Sequence, residues 1–282
     1  FVFSCSTSAF FYSPVKELRG RPDTALYQVE EINFKATDGK LYAWGNNTFS
    51  QLGLNDIISR SSPVQVGSSS WTNVYAGINY SMALRTDNTV WGWGETTKGN
   101  LGYNTPLIWN TISASTGIHN DYTLWTWGDN SLGQLGISST QYRSSPVQVG
   151  TVSWTTVYST TSNSYAIKSD GTLWSWGANT NGALGINSTL NRSSPVQVST
   201  SSWTNVAVGL SFTSAIKIDK SLWAWGHNLS YGALGLGDTL NRSSPVQVGT
   251  GYWNDAKAGL NHTVGLADNN TLYVWGDDNF GQ

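Results

Sequence analysis

The chain has 282 residues, of which 11% are charged and 13% aromatic, with 15 Trp, 13 Tyr and a formal net charge of −2. This aromatic load excludes a disordered polar chain, and the near-neutral charge lacks the electrostatic footprint of a nucleic-acid backbone binder. Cys5 is the single cysteine, so these residues form neither an intrachain disulfide nor a cysteine-based zinc site, and no apolar run reaches membrane-spanning length.

Residues 1–12 read as an N-terminal extension, and 13–282 as one repeating domain. The opening, Phe1 to Phe11, is apolar but has neither an initiating Met nor a basic leader, so it is not read as a signal peptide. The motif Leu173-Trp174-Ser175-Trp176-Gly177 then has near-copies whose Trp-Gly tryptophans are Trp44, Trp93, Trp127, Trp176, Trp225 and Trp275, spaced 49, 34, 49, 49 and 50 residues apart. A second landmark, Arg-Ser-Ser-Pro-Val-Gln-Val, recurs at 60–66, 143–149, 192–198 and 242–248. Eight residues after each of its prolines stands Trp71, Trp154, Trp203 or Trp253.

One unit reads as four strands. Pro195-Val196-Gln197-Val198 opens with proline, which suits a strand start or edge because it has no N–H to donate. Residues 203–209 alternate and carry β-branched side chains, 213–218 form a third strand, and the turn at Asp219-Lys220 leads into Leu222-Trp223-Ala224-Trp225. Four short strands per repeat predict an all-β, closed β-propeller, with six Trp-Gly units and room for seven blades. Strand alternation places Trp174 and Trp176 on one face and Leu173 and Ser175 on the other. The residue between the two aromatics is small or short in every copy, which predicts that it receives the next blade's indole. The six Trp-Gly tryptophans are accordingly read as structural.

Two places break the pattern. Trp93 and Trp127 are 34 residues apart, so Thr105–Trp109 is expected to stand in for both the Pro-Val strand and the Trp strand. Ser13-Pro14-Val15-Lys16-Glu17-Leu18 resembles the Pro-Val strand, with Pro14 again 30 residues before Trp44. That segment is expected to supply the strand missing from the last unit and close the ring, removing two open sheet edges.

The units resemble the regulator of chromosome condensation repeat family. Gly128-Asp129-Asn130-Ser131-Leu132-Gly133-Gln134-Leu135-Gly136 and Asp170-Gly171-Thr172-Leu173-Trp174-Ser175-Trp176-Gly177 carry the resemblance, which covers about 13–282. It implies a propeller of usually seven blades. It also brings in nucleotide exchange on a small GTPase, light sensing and enzyme inhibition as activities of family members. The exchange activity rests on an inserted β-wedge and a basic tail. Here no insertion exceeds the repeat, and only Lys16, Arg19 and Arg21 lie near the start. The light-sensing Gly-Trp-Arg-His-Thr motif is matched by Gly259-Leu260-Asn261-His262-Thr263, which keeps only its Gly and the His-Thr pair. The unchanged Arg-Ser-Ser-Pro-Val-Gln-Val is similar in style to bacterial and phage repeats, and favours an extracellular or virion-associated location.

No catalytic constellation departs from the repeat, and His119, His227 and His262 have no metal-ligand spacing. No catalytic, cofactor or metal residue is therefore assigned. The glycine-rich loops after Trp-Gly are not phosphate loops, since they recur in successive units and no helix follows. Arg60, Arg143, Arg192 and Arg242 recur at one position, either as a local basic patch or as solvated edge residues. The irregular aromatic places are the candidate partner surface: Phe10, Phe11, Tyr103, Trp109, His119 and Tyr231. The expectation is a non-enzymatic module for protein–protein interaction or structural assembly, oligomers included, with a bacterial or phage surface structure as one setting. Its partner would be a protein, with no nucleic acid and no membrane insertion. The alternatives are an exchange-type regulator of a small GTPase and a glycan-binding or inhibitor propeller.

Overall fold

The computed structural model describes residues 32–35, 38–76, 79–95, 109–113, 115–229 and 232–277. Within them the chain is all β, with nineteen antiparallel strands and no helix. The first half contains β1 (Ile32–Lys35), β2 (Leu41–Gly45), β3 (Arg60–Gln65), β4 (Trp71–Ala76), β5 (Tyr80–Arg85), β6 (Val90–Gly94), β7 (Trp109–Ser113), β8 (Thr116–His119), β9 (Leu124–Gly128) and β10 (Arg143–Gln148). The second half contains β11 (Trp154–Ser159), β12 (Asn163–Lys168), β13 (Thr172–Gly177), β14 (Arg192–Val208), β15 (Phe212–Lys217), β16 (Ser221–Gly226), β17 (Arg242–Ala258), β18 (His262–Ala267) and β19 (Leu272–Gly276).

Four strands per repeat are present in the later units, while the sheets β1–β3 and β4–β6 have three among the described residues, and the grouping differs from the sequence expectation. The Pro-Val strand does not open its own unit; it completes the unit before it. In β14, Gln197 and Val196 pair with Trp174 and Ser175, whereas Trp203 pairs forward with Lys217. A single 17-residue strand thus leaves one unit at its edge and enters the next, as β17 does again. Sequence order could not show this, because a strand's neighbour is chosen by hydrogen bonding across space.

The hydrophobic core lies between successive units. Leu173 and Leu184 of one unit share a cluster with Trp203 and Trp225 of the next, while Trp176 packs with Leu124 and Trp154 toward the unit before. The period-two face assignment therefore holds. Each Trp that opens a second strand meets the Trp-Gly indole of its own unit, at centroid distances of 5.9 Å for Trp71–Trp93, 5.8 Å for Trp203–Trp225 and 5.7 Å for Trp253–Trp275. Edge-to-face contacts of this kind add to area burial, because the positive ring edge meets the negative face.

The gap that receives the indole is formed by the preceding unit's loop together with the small residue, since Ala43 clusters with Trp71 and Trp93 and Ala224 with Trp253 and Trp275 of the next unit. Trp225 Nε1 donates to Ala183 O at 2.7 Å, and a Cβ on Gly185 would lie 2.7 Å from that same nitrogen. The indole is thus pressed against the preceding unit's loop. Where the small residue is Ser or Thr it also serves its own loop, with Ser175 Oγ donating to Leu184 O at 2.7 Å and Thr126 Oγ1 to Leu135 O at 3.0 Å. The glycine after each of these tryptophans has a separate reason. At Gly177 φ is +103°, and a Cβ would stand 2.5 Å from Ser162 O.

The shortened unit is shorter than the others in two places. Trp93 to Trp109 is 16 residues, where Trp127 to Trp154 and Trp176 to Trp203 are 27. Trp109 also pairs with His119 over a hairpin four residues shorter than the one pairing Trp154 with Lys168. Trp109 takes the Trp-strand role by itself; 105–108, assigned the Pro-Val role from sequence, lie outside the described residues.

Candidate functional site

Four of the six loops that follow Trp-Gly are built around one buried asparagine. Asn179 accepts from Leu184 N at 2.9 Å and donates to Ser188 O at 2.8 Å and Leu190 O at 3.1 Å. Asn130 repeats this with Leu135, Ser139 and Gln141, and Asn47 and Asn228 are buried at the same position. A side-chain amide offers two donors and an acceptor, enough to stand in for a missing strand partner inside a loop.

The register places these loops at one end of the units. Val208 pairs with Thr213, Phe212 with Gly226 and Gly226 with Arg242, so the 209–211 and 227–241 connections emerge together. Neighbouring units touch there, through Leu210 N to Leu260 O at 3.2 Å and Asn187 N to Ser243 O at 2.7 Å. Apolar side chains protrude at this end: Ile58 is 64% exposed, Tyr142 61%, Leu190 67% and Leu240 60%. All four lie one or two residues before the repeat arginine. Sequence reading missed them because they vary in type and in position by one residue, and their outward direction is set by the Asn-braced loop. A cleft of about 140 Å³ between units, lined by Asn181, Leu210, Phe212, His227 and Asn261, is smaller than the 300–1,000 Å³ typical of small-molecule sites. The geometry at this end offers a broad face.

At the opposite end the turn carboxylates have structural duties. Asp170 accepts from Thr172 N and from Thr172 Oγ1, and that hydroxyl accepts from Trp174 Nε1 at 3.0 Å. Asp121 does the same for Thr123 and Trp125, and its carboxyl is held down at about 2, first by the Thr123 hydroxyl, then by the Thr123 backbone N–H and by His119. Lysines stack beside these turns, with Lys168 Nζ 3.5 Å from the Trp174 ring centroid and Lys217 Nζ 3.6 Å from that of Trp223. Among the described residues no three His, Cys, Asp or Glu gather as a metal-binding group.

Of the sequence-selected surface residues, Trp109 and His119 are described, and they pair across β7 and β8 with ring centroids 6.3 Å apart. Trp109 is a correction: only 2% exposed, it packs 5.3 Å from Trp127 and belongs to the core, because the shortened unit still needs its strand-opening indole. His119 is partly buried, with Nδ1 3.0 Å from an Asp121 oxygen. Phe10, Phe11, Tyr103 and Tyr231 lie outside the described residues, as do the 1–12 extension and the 13–18 segment.

Stacked antiparallel units of up to four strands, four of them followed by an Asn-braced Trp-Gly loop, define a repeat β-propeller. The sequence pattern described as Regulator of chromosome condensation (RCC1) repeat matches residues 38–84, 123–165, 170–216 and 219–266, and a second pattern of that description matches 255–282. The chain belongs to this family. The matches pass over 85–122, where the repeat is shortened.

The Ultraviolet-B receptor UVR8 of Arabidopsis thaliana is 39% identical over 69 residues, which make up 23% of this chain and 16% of that receptor. Among solved structures, yeast RCC1 (Prp20) bound to Kap60 has a TM-score of 0.75 at 18% identity, covering 89% of this chain and 68% of the other. Human WBSCR16 has a TM-score of 0.72 at 20% identity, covering 84% and 70%. At these identities the structural likeness shows the fold alone.

Proposed function

We propose that this chain is a non-catalytic propeller that binds another protein through its loop end. The observation that carries this reading is the division of labour there. The recurrent asparagine side chains are consumed inside the loops, while Ile58, Tyr142, Leu190 and Leu240 face outward. Exposed apolar side chains on a rigid scaffold are what a protein interface uses. Yeast Prp20p, a structural neighbour, has been characterised for binding to Gsp1p and histones, and yeast RCC1 for binding to Kap60, which supports protein binding as the role.

The ring in this reading is closed by Ser13–Leu18 pairing onto β19, which ends its sheet among the described residues. The six Trp-Gly units then each supply one blade.

The test is affinity capture from the native source with three forms of the chain: the parent, L190E/L240E at the loop end and V152E/I218E at the other end. The loop-end variant is expected to lose the partner and the other to keep it. Equal retention by both, or a monomer that captures nothing, refutes the proposal. A second reading, a guanine-nucleotide-exchange-type regulator, is supported only by the likeness to yeast RCC1. Stimulated nucleotide release from a small GTPase would establish it.

A further inference from the structure

The four repeat arginines are not equivalent. Arg60 pairs with the Asp56 carboxylate and Arg242 with that of Asp238, four residues earlier in each loop. At the matching positions before Arg143 and Arg192 stand Ser139 and Ser188. The serines keep only one of the aspartate's duties. Asp56 Oδ1 accepts from Ile58 N at 2.9 Å and Asp238 Oδ1 from Leu240 N at 2.9 Å; Ser139 Oγ accepts from Gln141 N at 3.0 Å and Ser188 Oγ from Leu190 N at 3.1 Å. The turn is therefore preserved, and the oxygen that would hold the guanidinium is gone.

Arg143 and Arg192 are left with single carbonyl contacts, to Tyr142 O at 3.2 Å and Asn191 O at 3.3 Å, and neither meets a carboxylate among the described residues. A guanidinium is always charged and presents a planar fork matched to a carboxylate. Both arginines lie at the loop end in successive units, beside the exposed Tyr142 and Leu190. Within this same chain, the group that occupies the fork is an aspartate.

We propose that Arg143 and Arg192 are released forks that capture carboxylate side chains from an acidic, partly apolar segment of the partner protein. The apolar contribution comes from Tyr142 and Leu190. This deepens the protein-binding reading and rests on it for the identity of the occupant as a polypeptide.

The experiment titrates the full chain with a synthetic twelve-residue peptide alternating Glu and Leu, and with its Gln-Leu counterpart. It follows the arginine Nε–Hε resonances and the affinity. The Glu peptide is expected to shift Arg143 and Arg192, leave Arg60 and Arg242 in place, and bind at least tenfold more tightly than the Gln peptide. S139D/S188D, which restores the internal carboxylate without disturbing the turn, should abolish the shifts, and D56S/D238S should make Arg60 and Arg242 respond.

Equal binding of the two peptides, a uniform response of all four arginines, or insensitivity to S139D/S188D overturns the proposal. Shifts produced by a phosphoserine peptide and not by the Glu peptide overturn it in favour of a phosphate site. A captured partner unaffected by S139D/S188D but lost with L190E/L240E would sink the fork assignment while the protein-binding reading stands. Peptide-induced shifts in a chain that captures no partner would do the reverse.

Discussion

Gly185 tests how the units hold one another. Its φ is +70°, and an added Cβ would meet Trp225 at 2.7, 2.8 and 2.9 Å from Nε1, Cε2 and Cδ1. Trp225 is fully buried and tethered to Ala183 O, so the rigid indole has nowhere to retreat. Gly249 is the control, with φ +59° and nothing within 4 Å of a built Cβ. Gly249→Ala should cost only the left-handed backbone penalty, about 1–2 kcal/mol. Gly185→Ala should add an overpacking cost of about 1–3 kcal/mol, for a total of about 2–5 kcal/mol.

Urea unfolding followed by tryptophan fluorescence and by backbone circular dichroism measures both variants. A cycle with Trp225→Ala isolates the contact, since removing the indole should bring the Gly185→Ala cost down to that of Gly249→Ala. If Gly185→Ala is no worse than Gly249→Ala, or its cost survives in the Trp225→Ala background, the loop glycine is not the seat of the indole and the packing argument fails.

Asn179→Ala should destabilise by about 2–4 kcal/mol, because it strips buried backbone groups of their partners, and should raise hydrogen exchange across 184–190. Trp109→Ala should cost about 3–5 kcal/mol in urea unfolding, like any large core truncation; a loss of binding with unchanged stability would return Trp109 to the surface. Acid titration should follow the turn carboxylates. Asp121 is depressed to about 2 from an ordinary value of 3.8, and Asp87, Asp170 and Asp219 are depressed too, each led by the hydroxyl two residues on. A depressed carboxylate contributes stability that is complete above its unfolded value and is lost as pH falls through the folded one. The midpoint of urea unfolding should therefore drop between about pH 4 and pH 2, and Asp121→Asn should flatten part of that drop.

The repeat, the four strands per unit and the alternation that sends Trp176 one way and Leu173 the other were legible in the sequence. Each is a local property, a period of about 49 residues over a period of two, and local periods survive in linear order. The turn at Asp219-Lys220 was legible for the same reason. What only the tertiary structure decided are relations between units. It decided that 192–198 completes the preceding sheet, that Trp225 is seated on Gly185, and that Trp109 is core.

The loop-end face belongs to that second group. Which of the residues around Arg143 and Arg192 point outward depends on an asparagine that folds the loop back by hydrogen bonds spanning 9 and 11 residues. Whether a guanidinium is occupied depends on a carboxylate four positions away. Hydrogen bonding and burial act between atoms that are close in space, and sequence distance is a poor measure of that closeness wherever the chain leaves its repeating strands.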